Sequence, residues 1–205
     1  MTSTRRALLA LATLGLPVVA FAQGAAQGLT APIQALNTAL QAAMRAGGKT
    51  PFNSRVAALA PAVSSAFDLP VILQNSVGPR WATLAEPVRV QLQEAFASFT
   101  VATWVANFDA DNGERFEVLP ELRRVGTDEV VSTRIVPRAG SPTRLDYVMR
   151  NKGGAWKAVD ILVDGAISRV AVQRSDFRGV LGSGDGSALV KLLRDKTDAL
   201  ASGKA

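Results

Sequence analysis

The chain has 205 residues, of which 48% are hydrophobic and 20% are charged, and it carries a net charge of +6 at neutral pH. This length and apolar content suit one domain with a sizeable core and exclude an intrinsically disordered chain. The sequence contains neither Cys nor His, which excludes disulfides and every catalytic arrangement built on a His base. Because the arginines are spread along the chain, we expect solvated turns and strand edges and no nucleic acid partner.

The first 22 residues predict a cleaved secretory signal peptide. Arg5 and Arg6 precede an apolar run over residues 7–19, and small residues around Ala22 complete the pattern. A run of about 13 residues is shorter than the roughly 20 that a membrane-spanning helix needs. We therefore expect cleavage near Ala22 and a single exported domain over residues 23–205.

Short helices interrupted by prolines are predicted in the first part of the domain. Apolar spacings of three and four favour a helix that begins at a Thr30 cap and ends before Gly47. Pro61 is expected to separate two short helices, because proline breaks a helix from within. Residues 69–79, which are bounded by prolines and glycine, predict a further short piece suited to a wall or lid.

The longest predicted helix covers residues 84–108 and would begin with a capping box at Thr83. Besides a leucine-rich face, an adjoining face carries Phe96, Trp104 and Phe108. This apolar arc is wider than the surface that a single neighbouring helix covers, so we expect the helix to contact more than one neighbour.

Four extended segments with short connections then predict an antiparallel sheet. They cover residues 115–119, 129–136, 143–150 and 155–163. Alternation at Tyr147 and at Val159, Ile161 and Val163 gives this sheet one apolar face, while Asp146 is expected to face water. Helices, then strands, then helices are typical of the α+β class: a curved antiparallel sheet of about four strands covered by several helices.

Two helices are predicted after the last strand, which breaks at Gly165. Ile167, Val170 and Phe177 recur at helical spacing in the first of them. The glycine-rich residues 182–186 lead to the second helix. They lack the preceding strand and the Lys-Ser/Thr of a phosphate loop, so we interpret them as a connector.

Asp160 and Asp164 leave an enzymatic alternative open, because a carboxylate in apolar surroundings can act in acid/base chemistry. A hydrogen-bonded structural role for Asp160, at the corner between strand and helix, is the more common outcome. We expect no catalytic residue, no cofactor and no metal site.

Three motifs together resemble the MlaC-like family, also called the toluene-tolerance family. They are F-D-L-P at residues 67–70, V-G-P-R-W at 77–81 and W-x-x-x-D-I-x-x-x-G at 156–165. The resemblance covers about residues 30–200. The second motif and the stretch F-x-x-x-T-V-A-T-W-V-x-N-F-D at 96–109 are most similar to the branch associated with hopanoid biosynthesis, often called HpnM.

The resemblance implies a periplasmic lipid carrier that is not an enzyme. Such carriers are monomers that move phospholipid between an outer-membrane lipoprotein complex and an inner-membrane ABC transporter with its lipid-binding partner, which maintains outer-membrane lipid asymmetry. The ligand here would be phospholipid or hopanoid. An accessory or scaffold subunit of a hopanoid or membrane-lipid export complex, with a filled core and no ligand, remains the alternative.

The family's fold implies an apolar pocket between sheet and helices, where acyl chains are buried. The expected pocket residues are Phe67, Leu69, Ile72, Trp81, Phe96, Phe99, Trp104, Phe108, Tyr147, Val159, Ile161, Val163, Ile167 and Val170. Residues 69–79 are the candidate wall that moves for lipid release.

Overall fold

The computed structural model describes residues 19–182 and 184–203, and most of the predicted signal peptide, residues 1–18, lies outside them. The α-helices are α1 (Val19–Ala46), α2 (Phe52–Ala66), α3 (Leu69–Val77), α4 (Glu86–Asn107), α5 (Arg169–Leu181) and α6 (Ser187–Ala201). No helix within these described residues combines the length and hydropathy that crossing a membrane requires.

The strands form one antiparallel meander. They are β1 (Arg115–Val125), β2 (Asp128–Val136), β3 (Thr143–Lys152), β4 (Ala155–Val163) and β5 (Ile167–Ser168), in the spatial order β1-β2-β3-β4-β5. Each strand pairs antiparallel with the next. The predicted α+β class and antiparallel sheet are confirmed, and β5 is an additional short edge strand.

Prolines interrupt the first helices less than predicted. α1 begins at Val19 instead of Thr30 and contains Pro32, and α2 continues through Pro61. A proline removes one helical hydrogen bond, but tertiary packing of the surrounding turns can outweigh that loss. In α2 the apolar side that includes Val63 is fully buried, which holds the helix together across its proline.

α4 contacts several neighbours, as its wide apolar arc predicted. It packs against α2, α3 and α6. Its N-terminus differs from the prediction: the helix starts at Glu86, and the Thr83 hydroxyl donates to the Arg80 carbonyl at 2.9 Å. The expected capping box is therefore absent, because Thr83 ends a 3-10 helix over Gly78–Thr83 instead.

The corner between α2 and α3 is attached to the sheet. Phe67 forms an isolated parallel bridge with Ala158 of β4, and the Asp68 N–H donates to the Ala158 carbonyl at 2.9 Å. The Asp68 carboxylate accepts from the Val71 N–H at 3.3 Å and so caps α3. This part of the F-D-L-P motif ties the helical layer to β4.

A bulge at Val159 changes which residues share a face. The register with β3 skips one residue of β4 between Ala158 and Asp160, so Val159 has no partner across the strand pair. The predicted alternation holds only beyond the bulge, where Ile161 and Val163 share a face.

The first helix after the sheet starts later than predicted. Ile167 belongs to β5 and is 55% exposed, whereas α5 begins at Arg169. The Ser168 hydroxyl accepts from the Ala171 N–H at 2.9 Å and caps the helix. Because the chain pairs once more with β4 before it turns helical, the prediction that Ile167 lies on the buried helix face was wrong.

Asp146 does not face water, which corrects a second prediction. Its side chain is 0% exposed and forms ion pairs with Arg123 at 2.5 Å and Arg144 at 2.9 Å. Arg144 also donates to the hydroxyl of the buried Ser132 at 3.1 Å. The apolar stems of long arginine side chains can cover polar groups beneath them, which alternation does not reveal. We call the sheet face that carries Ser132, Arg144 and Asp146 the polar face.

Candidate functional site

A cavity of about 390 Å³ lies between α3, α4, α5 and the sheet strands β3 and β4. Its volume falls within the range of roughly 300–1,000 Å³ that small-molecule sites occupy. α4 supplies the longest wall, since lining residues run from Phe96 to Asn107 along the helix. Twelve residues of α-helix correspond to about 18 Å.

The floor of the cavity is apolar and buried. It consists of Phe67, Leu69, Ile72, Phe96 and Val170, each of which is at most 8% exposed. Three helices and the α2–α3 corner contribute these side chains, so no single helix face supplies the floor. A ligand that reaches this depth leaves water and contacts hydrocarbon and aromatic rings.

Aromatic rings form a continuous wall along one side. The ring of Trp104 lies 5.8 Å from Phe67 and stacks on Phe108 at 5.6 Å with an interplanar angle of 17°. Phe108 in turn lies 5.5 Å from Phe116 of β1, which contacts the wall without lining the cavity. Such contacts between rings restrict their rotation and give this wall a fixed shape.

The mouth of the cavity mixes apolar and polar side chains that are partly or fully exposed. They are Phe99, Thr103 and Asn107 on α4, Leu145 and Val163 on the sheet, and Arg169 and Gln173 on α5. The Thr103 hydroxyl donates to the Phe99 carbonyl of its own helix at 2.8 Å. Its hydrogen is therefore engaged within α4.

Ten of the residues predicted for a pocket lie on the walls of this cavity: Phe67, Leu69, Ile72, Phe96, Phe99, Trp104, Phe108, Ile161, Val163 and Val170. The other four lie elsewhere. Tyr147 is buried with its ring 6.0 Å from that of Phe67, and Val159 is buried at the bulge. Trp81 packs on the hydrophobic core from the 3-10 helix, and Ile167 is exposed on β5.

The sequence prediction missed several wall residues, most of them polar. They are Thr100, Thr103, Asn107, Leu145, Asp160, Arg169 and Gln173. Helical spacing could have found them, since Thr103 and Asn107 follow Phe99 at intervals of four on α4. Arg169 and Gln173 are likewise four apart on α5. A search restricted to apolar residues excludes them.

Asp160 has the structural role that was predicted as the more common outcome. Its Oδ1 accepts from the backbone N–H groups of Ile161 at 2.7 Å and Val170 at 3.1 Å, and the Ser168 hydroxyl donates to its Oδ2 at 2.5 Å. The carboxylate therefore holds the first turn of α5 against β4. With both oxygens engaged, it shapes the cavity instead of offering a free base to it.

Burial raises the pKa of the Tyr147 phenol above its ordinary value, so the phenol stays neutral at physiological pH. Among residues 19–182 and 184–203, no three His, Cys, Asp or Glu side chains come together in an arrangement that could hold a metal ion. Within the described chain, the site is an apolar cavity with a polar mouth.

Comparison with known proteins adds a family and a structural relative. The family model described as MlaC protein matches residues 34–195. No curated protein matches the chain. A phospholipid-binding protein from Ralstonia solanacearum, solved in complex with a phospholipid, is similar with a TM-score of 0.71 and 19% sequence identity; the match covers 84% of this chain and 98% of that one.

That structural likeness, at 19% identity, shows a shared fold. The family match spans the helices and the whole sheet, from α1 into α6. The chain belongs to the MlaC protein family.

Proposed function

We propose that the protein is a lipid carrier that buries acyl chains in the cavity between α4 and the sheet. The observation that carries this proposal is the cavity itself, with a buried hydrocarbon floor and an open polar mouth. A lipid has the same division between apolar tail and polar headgroup. The similar fold of a protein solved with phospholipid supports phospholipid as the ligand.

The energetics suit a carrier. Each methylene that leaves water contributes about 0.8 kcal/mol, so about ten buried methylenes contribute roughly 8 kcal/mol, which corresponds to a Kd near 1 µM before ordering costs. Tail burial alone therefore supplies useful affinity. It also makes spontaneous escape into water slow, so release requires a partner that lowers the barrier.

The full proposal places this carrier in the periplasm after cleavage near Ala22. There it acts as a monomer that moves lipid between an outer-membrane lipoprotein complex and an inner-membrane ABC transporter with its lipid-binding partner. Membership in the MlaC protein family supports these partners. Hopanoid is the competing ligand, because the sequence motifs are most similar to the hopanoid-associated branch.

Native mass spectrometry is the first test. The full chain with its leader is expressed for export, purified from the periplasm without detergent and sprayed under native conditions. We expect a polypeptide that begins at Gln23 and carries a stoichiometric adduct whose mass identifies a phospholipid. An adduct with the mass of a hopanoid would identify hopanoid, instead of phospholipid, as the ligand. An empty protein that takes up no lipid from vesicles would favour the scaffold alternative.

A cavity-filling substitution tests the location of the tails. Thr103→Trp places an indole at the mouth, so lipid occupancy should fall by at least about ten-fold while the melting temperature holds or rises, because apolar surface is added to a void. Ser98→Trp is the matched control, since Ser98 is also a small hydroxyl residue of α4 but is exposed and lies outside the cavity. If both variants load lipid equally, the acyl chains do not lie in this cavity.

For release, we propose that residues 69–79, which are α3 and the first two residues of the following 3-10 helix, move as one wall. The Arg174 guanidinium donates to the Asn75 carbonyl at 2.8 Å, which joins α3 to α5. A disulfide engineered between this wall and the sheet should block lipid handover to acceptor membranes and restore it on reduction. Lipid handover at the same rate with the disulfide oxidised and with it reduced would contradict the proposal.

A further inference from the structure

We infer that Arg169 binds the phosphate of the lipid at the cavity mouth and makes the site selective for phospholipids over uncharged lipids with the same tails. This inference rests on the proposed function. Burial of the tails does not decide which headgroup is preferred, because the methylenes contribute equally to affinity whichever headgroup the lipid carries. The contact with Arg169 supplies that selectivity.

Arg169 is the one Lys or Arg among the described residues that line the cavity. It is exposed, and no carboxylate of the described chain lies within ion-pair distance of it. The arginines of the sheet differ in this respect: Arg134 and Arg150, for example, pair with carboxylates at 2.6 Å. The guanidinium of Arg169 is therefore available to a ligand.

The carboxylate that shares the cavity wall is bonded to groups other than Arg169. Both oxygens of Asp160 are occupied by the Ser168 hydroxyl and by the N–H groups of Ile161 and Val170. No ion pair joins Asp160 to Arg169 in the described structure. Among the side chains at the mouth, Arg169 is the cationic donor, and a cationic donor favours an anionic acceptor.

A second donor stands one helical turn from Arg169. The amide of Gln173 lies on the same side of α5, and its side-chain oxygen is 3.0 Å from the Ser76 hydroxyl oxygen. The same hydroxyl donates to the Ile72 carbonyl at 2.8 Å. Whichever way the Gln173 amide is turned, at least one of its N–H bonds has no partner among the described residues.

The side chains, not the helix end, are the binding groups in this proposal. The N–H groups of Val170 and Ala171 in the first turn of α5 are already bonded to Asp160 and Ser168. A guanidinium presents paired N–H donors that match two phosphate oxygens. With acyl chains on the buried floor and Arg169 at the mouth, a phosphodiester reaches Arg169 without leaving water completely.

The test compares two ligands that differ only in headgroup. Delipidated protein is incubated separately with phosphatidylglycerol and with diacylglycerol of the same chains, each supplied from cyclodextrin, and the bound fraction is measured by native mass spectrometry. Wild type should prefer phosphatidylglycerol by about ten-fold, the effect of one charge-assisted contact. Arg169→Gln should reduce that preference to nearly one, and Arg169→Lys should retain part of it.

Arg178 supplies the matched control. It is an exposed arginine in the last turn of the same helix and lies outside the cavity wall. Arg178→Gln should keep the wild-type preference. Loss of preference in both variants would mean that general charge, not Arg169, selects the lipid, and it would overturn the inference.

The remaining outcomes separate this inference from the proposed function. If wild type and Arg169→Gln load both lipids equally, the inference fails and the carrier function stands. If wild type loads neither lipid, the carrier function fails with it. The last measurement adds inorganic phosphate alone to wild type and to Arg169→Gln. If phosphate raises the melting temperature of wild type as far as phosphatidylglycerol does, and does not raise that of Arg169→Gln, the site binds free phosphate. That result would overturn the inference.

Discussion

Neighbouring residues of β3 lie in opposite environments. Leu145 is half-buried at the mouth of the apolar cavity, whereas Asp146 is fully buried on the polar face between two arginines. One side of the sheet thus has spare volume and non-directional contacts. On the other side, Ser132 and Asp146 are buried, and the Asp146 carboxylate is paired with two arginines at fixed distances.

This difference suggests a division of roles between the two faces. Apolar walls accept tails of different length and shape, because dispersion and hydrophobic contacts have little directional preference. A buried carboxylate that is paired with two arginines holds strands in one register, since removing one partner leaves a charge without compensation. We therefore expect substitutions on the polar face to affect stability and substitutions on the cavity face to affect lipid.

The largest expected effect is the loss of the buried carboxylate. Asp146→Ala leaves the guanidinium groups of Arg123 and Arg144 close together without their shared partner, and it should lower the free energy of unfolding by about 3 kcal/mol. Urea denaturation measures the loss. Asp176→Ala on the exposed side of α5 is the control and should cost less than about 0.5 kcal/mol.

The same variant should retain its lipid. Asp146 lies outside the cavity wall, so the lipid bound per folded molecule of Asp146→Ala should equal that of wild type in native mass spectrometry. Loss of lipid from the folded variant would contradict a division of roles between the two faces.

Gly165 supplies the next largest effect, because it closes the turn beside the Asp146 network. Its φ is +75°, and an added Cβ would lie 3.4 Å from Asp146 Oδ2 and 3.5 Å from Arg144 Nε. Gly165→Ala should cost about 2 kcal/mol in the free energy of unfolding. Gly154→Ala has a similar φ of +89° and open space around the new methyl, so it measures the backbone cost alone. An equal loss in both variants would show that the network tolerates the methyl group.

Leu145→Ala tests the cavity face with a smaller effect on stability. The side chain is only half-buried, so its truncation should lower the free energy of unfolding by about 1 kcal/mol, which is less than the cost of changing its neighbour. Lipid retention should fall, because the mouth widens and loses apolar contact. A larger loss of stability than in Asp146→Ala, with lipid unchanged, would reverse the assignment of the two faces.

The smallest effect comes from an exposed carboxylate. Hydrogen bonds from Ser187, including one from its N–H at 2.9 Å, hold the pKa of Asp185 below its usual 3.8. Because the folded pKa is the lower one, this contribution to stability is present above pH 3.8 and is lost as the pH falls through the folded value. NMR titration of the Asp185 carboxyl should show the lowered midpoint. A midpoint at or above pH 3.8 would contradict the lowered pKa of Asp185.

The fold class could be predicted from the sequence, whereas several helix starts could not. Alternation and short connections over residues 115–163 predict an antiparallel meander because both are local properties of strands. Continuation of α2 through Pro61 depends on burial against other helices, which local sequence does not contain. Ile167 illustrates the same limit, because whether it joins β5 or α5 depends on pairing with β4.

The apolar part of the site was predictable through the resemblance to the MlaC-like family, which implies a pocket between sheet and helices. The apolar arc of α4 and the alternation of the sheet indicated residues for its walls, but spacing alone does not distinguish a pocket residue from a core residue. Val159 shows where this reasoning stops, since a bulge shifts the register and changes the face. Asp146 shows it again: alternation identifies the face of a side chain but not whether arginines from other strands cover it.

The position of Trp104 gives the protein an optical reporter of its own ligand. The sequence contains three tryptophans, and of these only Trp104 lines the cavity; Trp81 and Trp156 pack against the core elsewhere. Acyl chains that carry bromine atoms would quench Trp104 emission on entry and leave the other two indoles as a constant background. Loading and unloading could therefore be followed in real time without an attached label.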